Sequence, residues 1–383
     1  MIVIAMILVI SCKKEAPSSN RNIFLKTYQT DTLATALQLV QMPDGGFIII
    51  SNEAASTYAN GRPLLTRTDK YGNLMWNRTI QKYGLTYWAD AFLLNDGNFI
   101  AHFGSNICKF DTNGNIKNFV PLKNVGDLVV YPISHFGSKF ILPACSPKYS
   151  LESVNKIYTY DDNLTLLRTD SFFNSSLSGR VLGLFVNSNP SSGTYHILGM
   201  KYPNANWTYS DYNKLFAATI PSTGPVIQTV WDSADQNNWD YTVRQSIAND
   251  SEAILLGQRI TATTSYPIVI KFDKDQKVAW ENEFQVNNAN IGLTNISLCK
   301  DGGFMIVGNI GKTGYTAAQP YALKIDQNGS KQWYKTFPGT GVLYYGINLS
   351  DGGYAFVGSS TQFGNSLNTN RILFIKTDAN GNF

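Results

Sequence analysis

Six carboxylates raise the first chemical question: Asp90, Asp127, Asp211, Asp232, Asp235 and Asp240 fall in or beside segments of irregular composition. Paired Asp or Glu side chains carry glycoside hydrolysis, one as acid and the other as base or nucleophile, when they stand about 5 to 9.5 Å apart. No spacing among the six fixes such a separation, so a surface glycan-degrading enzyme stands as an alternative and not as the leading reading. Metal chemistry needs converging His, Cys or carboxylate groups, whereas His102, His135 and His196 are scattered along the chain. Cys108, Cys145 and Cys299 sit within strand-like apolar segments and read as small core residues. The segments 111–115 and 378–382 share the alternating Asp and Asn of calcium loops, but the Gly comes too early and no Glu closes them, so hairpin turns are expected. Neither a Gly-x-Ser-x-Gly elbow nor a Walker loop is present. The expected inventory is therefore no catalytic residue, no metal and no cofactor.

Aromatic residues offer a different chemistry. Tyr87, Trp88, Trp207, Tyr209, Trp231 and Trp239 lie among Asn, Ser and Thr, together with Asp232, Asp235 and Asp240. Rigid rings beside adaptable hydrogen-bonding groups suit a sugar or a protein partner. The segment 231–240, Trp231 through Trp239 to Asp240, is the densest acidic and aromatic stretch of the chain.

Composition limits what positions these residues. The chain has 383 residues, 43% hydrophobic, 13% aromatic and only 15% charged, enough to bury a large core. Thirty-one Lys and Arg against 27 Asp and Glu give +4, with no basic run longer than Lys13-Lys14, so a nucleic-acid partner is not expected. Oligomeric state is left open by composition.

A repeat then organises the chain. Pro43-Asp44-Gly45-Gly46-Phe47 recurs in recognisable form near residues 95, 136, 191, 249, 300 and 350. A second turn, Asp69-Lys70-Tyr71-Gly72-Asn73, recurs near 111, 161, 221, 273, 326 and 378. Asp69 and Asp378 are 309 residues apart over six steps, about 52 per unit, a propeller-blade period. Apolar β-branched and aromatic runs flank each turn, so every unit predicts four antiparallel strands, A to D. The small residues on strand B, Ser51, Ala144, Gly199, Gly257, Gly308 and Gly358, predict crowding of neighbouring sheets near an axis. Strand C ends in a basic-x-Asp step in five units, and a feature so repeated reads as a structural pair. Trp76, Trp280 and Trp333 on strand D are expected to pack between adjacent blades. The last unit stops at Phe383 without its strand D, while Phe24-Leu25-Lys26-Thr27-Tyr28 matches Trp333-Tyr334-Lys335-Thr336-Phe337. The N-terminal strand is thus expected to complete the last blade.

With these motifs, residues 23–383 resemble the seven-bladed, all-β propeller of Bacteroidota outer-membrane lipoproteins built from Asp-Gly-Gly-Phe/Tyr repeats, which implies a single domain. Residues 1–10 form an apolar run of signal-peptide length. The following Val9-Ile10-Ser11-Cys12 resembles a lipobox, which implies a signal peptide over 1–11, lipid attachment at Cys12 and a flexible tether over 12–22. The Lys13-Lys14-Glu15 opening is similar to that of Bacteroidota lipoproteins and implies an outer-membrane protein, on the cell surface or the periplasmic side.

Chain direction puts the two short turns on one face and the longer B–C and D–A connections on the other, at 52–62, 81–88, 145–155, 201–213, 231–240, 309–319 and 359–371. The aromatic candidates fall in these connections, where function on a rigid scaffold usually resides. The leading expectation is a non-catalytic, lipid-anchored binding protein taking a glycan or an envelope protein through the long-loop face. A purely structural subunit of an outer-membrane complex is the further alternative.

Overall fold

The computed structural model describes residues 22–383 apart from 31–32, 55–60, 81–88, 104–105, 122–128, 131–132, 146–153, 174–179, 190–193, 203–213, 221–226, 232–238, 241–245, 249–251, 261–264, 274–276, 286–290, 312–317 and 361–370. The chain begins with β1 (Phe24–Tyr28) and then lays down antiparallel sheets in sequence. The first is β2 (Leu33–Gln41), β3 (Phe47–Ala54), β4 (Arg62–Thr68) and β5 (Leu74–Thr79). The second is β6 (Ala89–Leu93), β7 (Phe99–Phe103), β8 (Asn106–Phe110) and β9 (Ile116–Pro121). In the third, β10 (Val129–Val130) and β11 (Ser134–Phe136) both pair with β12 (Lys139–Cys145), followed by β13 (Val154–Asp161) and β14 (Leu166–Phe173). The fourth holds β15 (Arg180–Asn189), β16 (Thr194–Tyr202), β17 (Lys214–Ile220) and β18 (Ile227–Trp231). In the fifth, β19 (Trp239–Asp240) and β20 (Ser246–Ala248) share the edge of β21 (Ala253–Ile260), followed by β22 (Ser265–Phe272) and β23 (Val278–Glu283). The sixth is β24 (Ile291–Leu298), β25 (Phe304–Ile310), β26 (Gln319–Ile325) and β27 (Lys331–Thr336).

What remains of the chain, β28 (Gly341–Asn348), β29 (Tyr354–Ser360) and β30 (Arg371–Thr377), takes β1 as its outer strand, with Phe24 opposite Lys376 and Tyr28 opposite Ile372. This corrects the expectation of a seven-bladed propeller. Six blades are each one continuous stretch of chain, and the remaining sheet is a composite of both chain ends. Two of the six also have a broken inner strand, because the short pieces β10 with β11 and β19 with β20 replace a single run.

The core lies between sheets. One cluster joins Phe47, Ile49 and Leu64 to Val357, Ile372 and Phe374 across the composite sheet and the first blade, with Phe24 and Phe374 edge to face at 5.0 Å. Others join the first and second blades through Val40, Ile50 and Phe99, and the second and third through Ile100, Phe140 and Leu164. The fifth and sixth blades meet through Leu256, Ile296 and Leu323, and the sixth and the composite sheet through Val307, Phe337 and Phe356.

Outer-strand aromatics lock four of the blade junctions. A side chain at Gly114, in the β8–β9 turn, would come within 2.6 Å of the Trp76 ring carried by β5. Gly329 and Gly381 hold Trp280 and Trp333 in the same way, and Gly72 holds Phe24. These turn glycines also have positive φ, from 70° to 81°. One junction inverts the pairing. β9 carries Asn118 where β5 carries Trp76, and the next turn has Leu164 in place of Gly, at φ 65° and buried against Ile107 and Tyr158.

The small residues of the second strands have a different cause from the one expected. A Cβ at Gly308 would land on the carbonyl oxygen of Gly292, and one at Gly358 on that of Val342. Both partners lie on the inner strand of the same blade, beside the register shifts at Leu293/Asn295 and Leu343/Tyr345. A bulge pushes its strand's backbone towards its own neighbour, so at Gly308 and Gly358 the crowding arises within a blade.

Candidate functional site

The short-turn face is consumed by internal pairing. In five blades the strand-ending basic residue of the β4-type strand reaches the first-turn acid of its own blade: Lys109 to Asp96 at 3.0 Å, Lys271 to Glu252 at 2.9 Å, Lys324 to Asp301 at 2.9 Å and Lys376 to Asp351 at 2.8 Å, with Arg67 paired to Asp44. Burial pushes the Asp301 carboxyl up, but the Lys324 ammonium and the Gly303 N–H more than offset it and hold it below the usual carboxylate range. Second-turn acids serve their own turns. The Asp111 carboxylate accepts from the Asn113 N–H at 2.9 Å, the Asn115 N–H at 2.8 Å and the Asn115 side chain at 2.9 Å, and Asp378 does the same with Asn380 and Asn382. These carboxylates close hairpins, and their oxygens are engaged by the turn itself.

The described cysteines and histidines are framework groups. Cys108 and Cys299 are buried free thiols, which burial pushes up to about 12. His102 lies on β7 and His196 on β16, while His135 stacks on Phe92 at 4.2 Å and approaches Asp162 at 3.4 Å. Among the described residues no group of three His, Cys, Asp or Glu side chains converges as metal ligands would.

Of the sequence-derived candidates, Cys12, Tyr87, Trp88, Trp207, Tyr209, Asp127, Asp211, Asp232 and Asp235 lie outside the described residues. Trp231 ends β18 opposite Leu215, and Trp239 and Asp240 form β19 opposite Arg259 and Gln258. Trp231 and the Trp239-Asp240 pair therefore belong to strands at the two ends of a connection, in different sheets, rather than to one continuous loop.

Asp90 is the carboxylate whose position changes most. Its sequence context points to the long connections, yet it sits on β6, an inner strand, three residues before that strand's end. Its Oδ1 accepts from the Gln38 side chain of β2 at 2.8 Å, and its Oδ2 accepts from the Ile133 backbone N–H at 2.6 Å. Tyr345, on β28, shares the Gln38 amide through its hydroxyl. Four contributions from four consecutive sheets therefore meet around the axis. Gln38, Asp90 and Tyr345 occupy equivalent places, each three residues before the end of its inner strand. Asp90 and Tyr345 keep some surface exposed, yet desolvation dominates both: it raises the Asp90 carboxyl to about 7 against the pull of its two donors, and raises the Tyr345 phenol further with the Asp90 charge beside it. Both side chains are thus half-buried on the inner strands of their sheets. Gln38 and Tyr345 were missed by the sequence reading. The available signal was their phase, since Gln38 and Asp90 are 52 positions apart, one repeat.

No family model matches the chain, and no curated protein matches it in sequence. Similarity to solved structures is at the level of fold. YCF48 bound to a D1 peptide aligns with TM-score 0.52 at 13% identity, over 95% of this chain and 100% of that one. The polysaccharide lyase Uly1 aligns at 0.51 and 10% identity, over 96% and 94%. The β-propeller domain of the Trilobed protease from Pyrococcus furiosus aligns at 0.50 and 8% identity, over 92% and 97%. A peptide complex, a lyase and a protease domain share one architecture, so the fold does not select an activity. What the chain shares with all three is the β-propeller fold.

Proposed function

We propose that the protein is a non-catalytic binding propeller, held to the outer membrane by a lipid on Cys12, that takes a glycan or an envelope protein through its long-loop face. The observation that carries this reading is the contrast between the faces. The described first-turn and second-turn acids of the short-turn face are paired within their own blades or engaged by their own turns, whereas the sequence of the opposite connections is rich in Trp, Tyr, Asn and Asp. Rings and amides bind by stacking and hydrogen bonding without needing a tuned acid and base. β1 starts on the short-turn face, where the last strand of the composite sheet ends, so a tether over 12–22 would leave the long connections pointing away from the bilayer.

Affinity electrophoresis of the mature protein through gels containing starch, xylan, pectin or mucin tests the glycan branch. Retardation in at least one gel, lost in a Trp207→Ala, Trp231→Ala, Trp239→Ala variant of unchanged melting temperature, is the expected result. Release of reducing ends from the retarding polysaccharide would replace the binding reading with the enzymatic one. Retardation in no gel would leave the glycan branch without support and refute it for these polymers. For the anchor, Cys12→Ala is expected to move the protein from the membrane to the soluble fraction, and recovery of that variant in salt-washed membranes would refute lipid attachment.

A further inference from the structure

We propose that Gln38, Asp90 and Tyr345 form an axial binding site for a protonated amine, separate from the long-loop face. Gln38 is held by three contacts: one amide N–H donates to Asp90, the amide also engages the Tyr345 hydroxyl, and its carbonyl accepts the Leu39 N–H at 3.1 Å. Turning it would break all three, and so it holds the other two side chains in place. Asp90 receives one hydrogen bond on each oxygen, and a carboxylate oxygen accepts two. Tyr345 adds an oxygen lone pair and a ring face, and both residues remain partly exposed.

The charge is what selects the ligand. Each first-turn acid described above has a Lys or Arg against it, whereas the two donors to Asp90 are an amide and a backbone N–H, both neutral. The titratable groups on the elements packed around it are Tyr344 and Tyr345 on β28, Glu53 on β3, His102 opposite it in register on β7, and His135 on β11, which faces Asp162; β2 carries no ionisable residue. A partly exposed, desolvated carboxylate gains most from a group that brings positive charge and several N–H donors together. An ammonium does so, using the free lone pairs of Asp90 and Tyr345 and the ring of Tyr345 for cation–π attraction. A neutral hydroxyl would satisfy the hydrogen bonds and leave the charge uncompensated, and an anion would be repelled.

The test uses the mature protein with n-butylammonium chloride as probe, and with 1-butanol and sodium chloride as neutral and ionic-strength controls. Binding to the native state raises the melting temperature with ligand concentration. The amine is expected to raise it at pH 8 and far less at pH 5.5, because affinity for the ionised site falls about tenfold per pH unit once Asp90 is protonated. Neither control should reproduce the shift. Asp90→Asn should abolish the response, and Tyr345→Phe should weaken binding several-fold. Independently of any variant, the Asp90 carboxyl resonance should titrate at lower pH when the amine is present. An unmoved Asp90 titration, an equal effect of butanol, or a full response in Asp90→Asn would each overturn the proposal. The Trp207, Trp231 and Trp239 variants leave these residues intact, so the two binding readings fail separately.

Discussion

Exchanging one blade junction for another tests the packing logic of the ring. Trp76 against Gly114 and Asn118 against Leu164 are two solutions to the same contact, large residue on the strand with none on the turn, or the reverse. Trp76→Asn empties the first junction and is expected to cost about 3 kcal/mol, the low end for losing a packed Trp. Gly114→Leu alone drives a side chain into the indole, since even its Cβ would lie 2.6 Å from the ring. It adds left-handed backbone strain of about 1–2 kcal/mol and overpacking of similar size, about 3 kcal/mol together. If the sites were independent, the double variant would lose about 6 kcal/mol. Because the leucine side chain introduced by Gly114→Leu would fill the space the indole vacates, as Leu164 does beside Asn118, the double variant is expected to lose only about 3 kcal/mol, a coupling of about 3 kcal/mol. Unfolding a domain of this length carries an entropy of roughly 0.8 kcal/mol per degree, so the additive and coupled outcomes differ by about 4 °C in melting temperature. Urea unfolding of the parent, both single variants and the double variant measures the cycle. Additivity within about 0.5 kcal/mol would refute the reciprocal-filling argument.

Other expectations follow from the same geometry. Lys324 is 0% exposed and Asp301 50% exposed; Asp301→Ala strands a buried ammonium on the Ile325 carbonyl and should cost about 3–5 kcal/mol, while Lys324→Met leaves an acid that water can solvate and should cost under about 1 kcal/mol. Equal losses in urea unfolding would contradict this asymmetry. The folded Asp90 carboxyl titrates near 7, above its usual range, so its contribution is fully present below about pH 4 and is lost as pH rises through 7, on the order of 2–4 kcal/mol. Asp90→Asn should flatten stability across that window, and an unchanged pH profile would show that another group governs it. Deleting residues 23–28 removes Phe24 from its contact with Phe374 and the Tyr28 hydroxyl from the Gly72 carbonyl at 2.7 Å, exposing the edge of β30. A melting temperature within a degree or two of the parent would mean that β1 does not close the ring.

Local chemistry made the blades legible before any tertiary contact was known. Asp-Gly turns need a left-handed residue and flanking β-branched runs need a pleated surface, so Gly45, Gly72 and their equivalents announce hairpins wherever they recur. The match of Phe24–Tyr28 to Trp333–Phe337 exposed the composite sheet for the same reason: one packing environment demands one pattern. Tertiary structure alone decided the rest. The split inner strand beside β21 has no turn signal of its own, although Pro132 marks the one beside β12, and the crowding at Gly308 and Gly358 depends on bulges that the pairing of two strands creates. Asp90 shows the limit best. Its side chain reads as one more acid beside an aromatic connection, and only ring closure brings Gln38 from a preceding blade, the Ile133 N–H from a following one and Tyr345 from near the chain's other end into the same desolvated space. Hydrogen-bond reach and burial are properties of distance in space; repeat phase puts Gln38, Asp90 and Tyr345 at equivalent strand positions but does not say that their side chains meet.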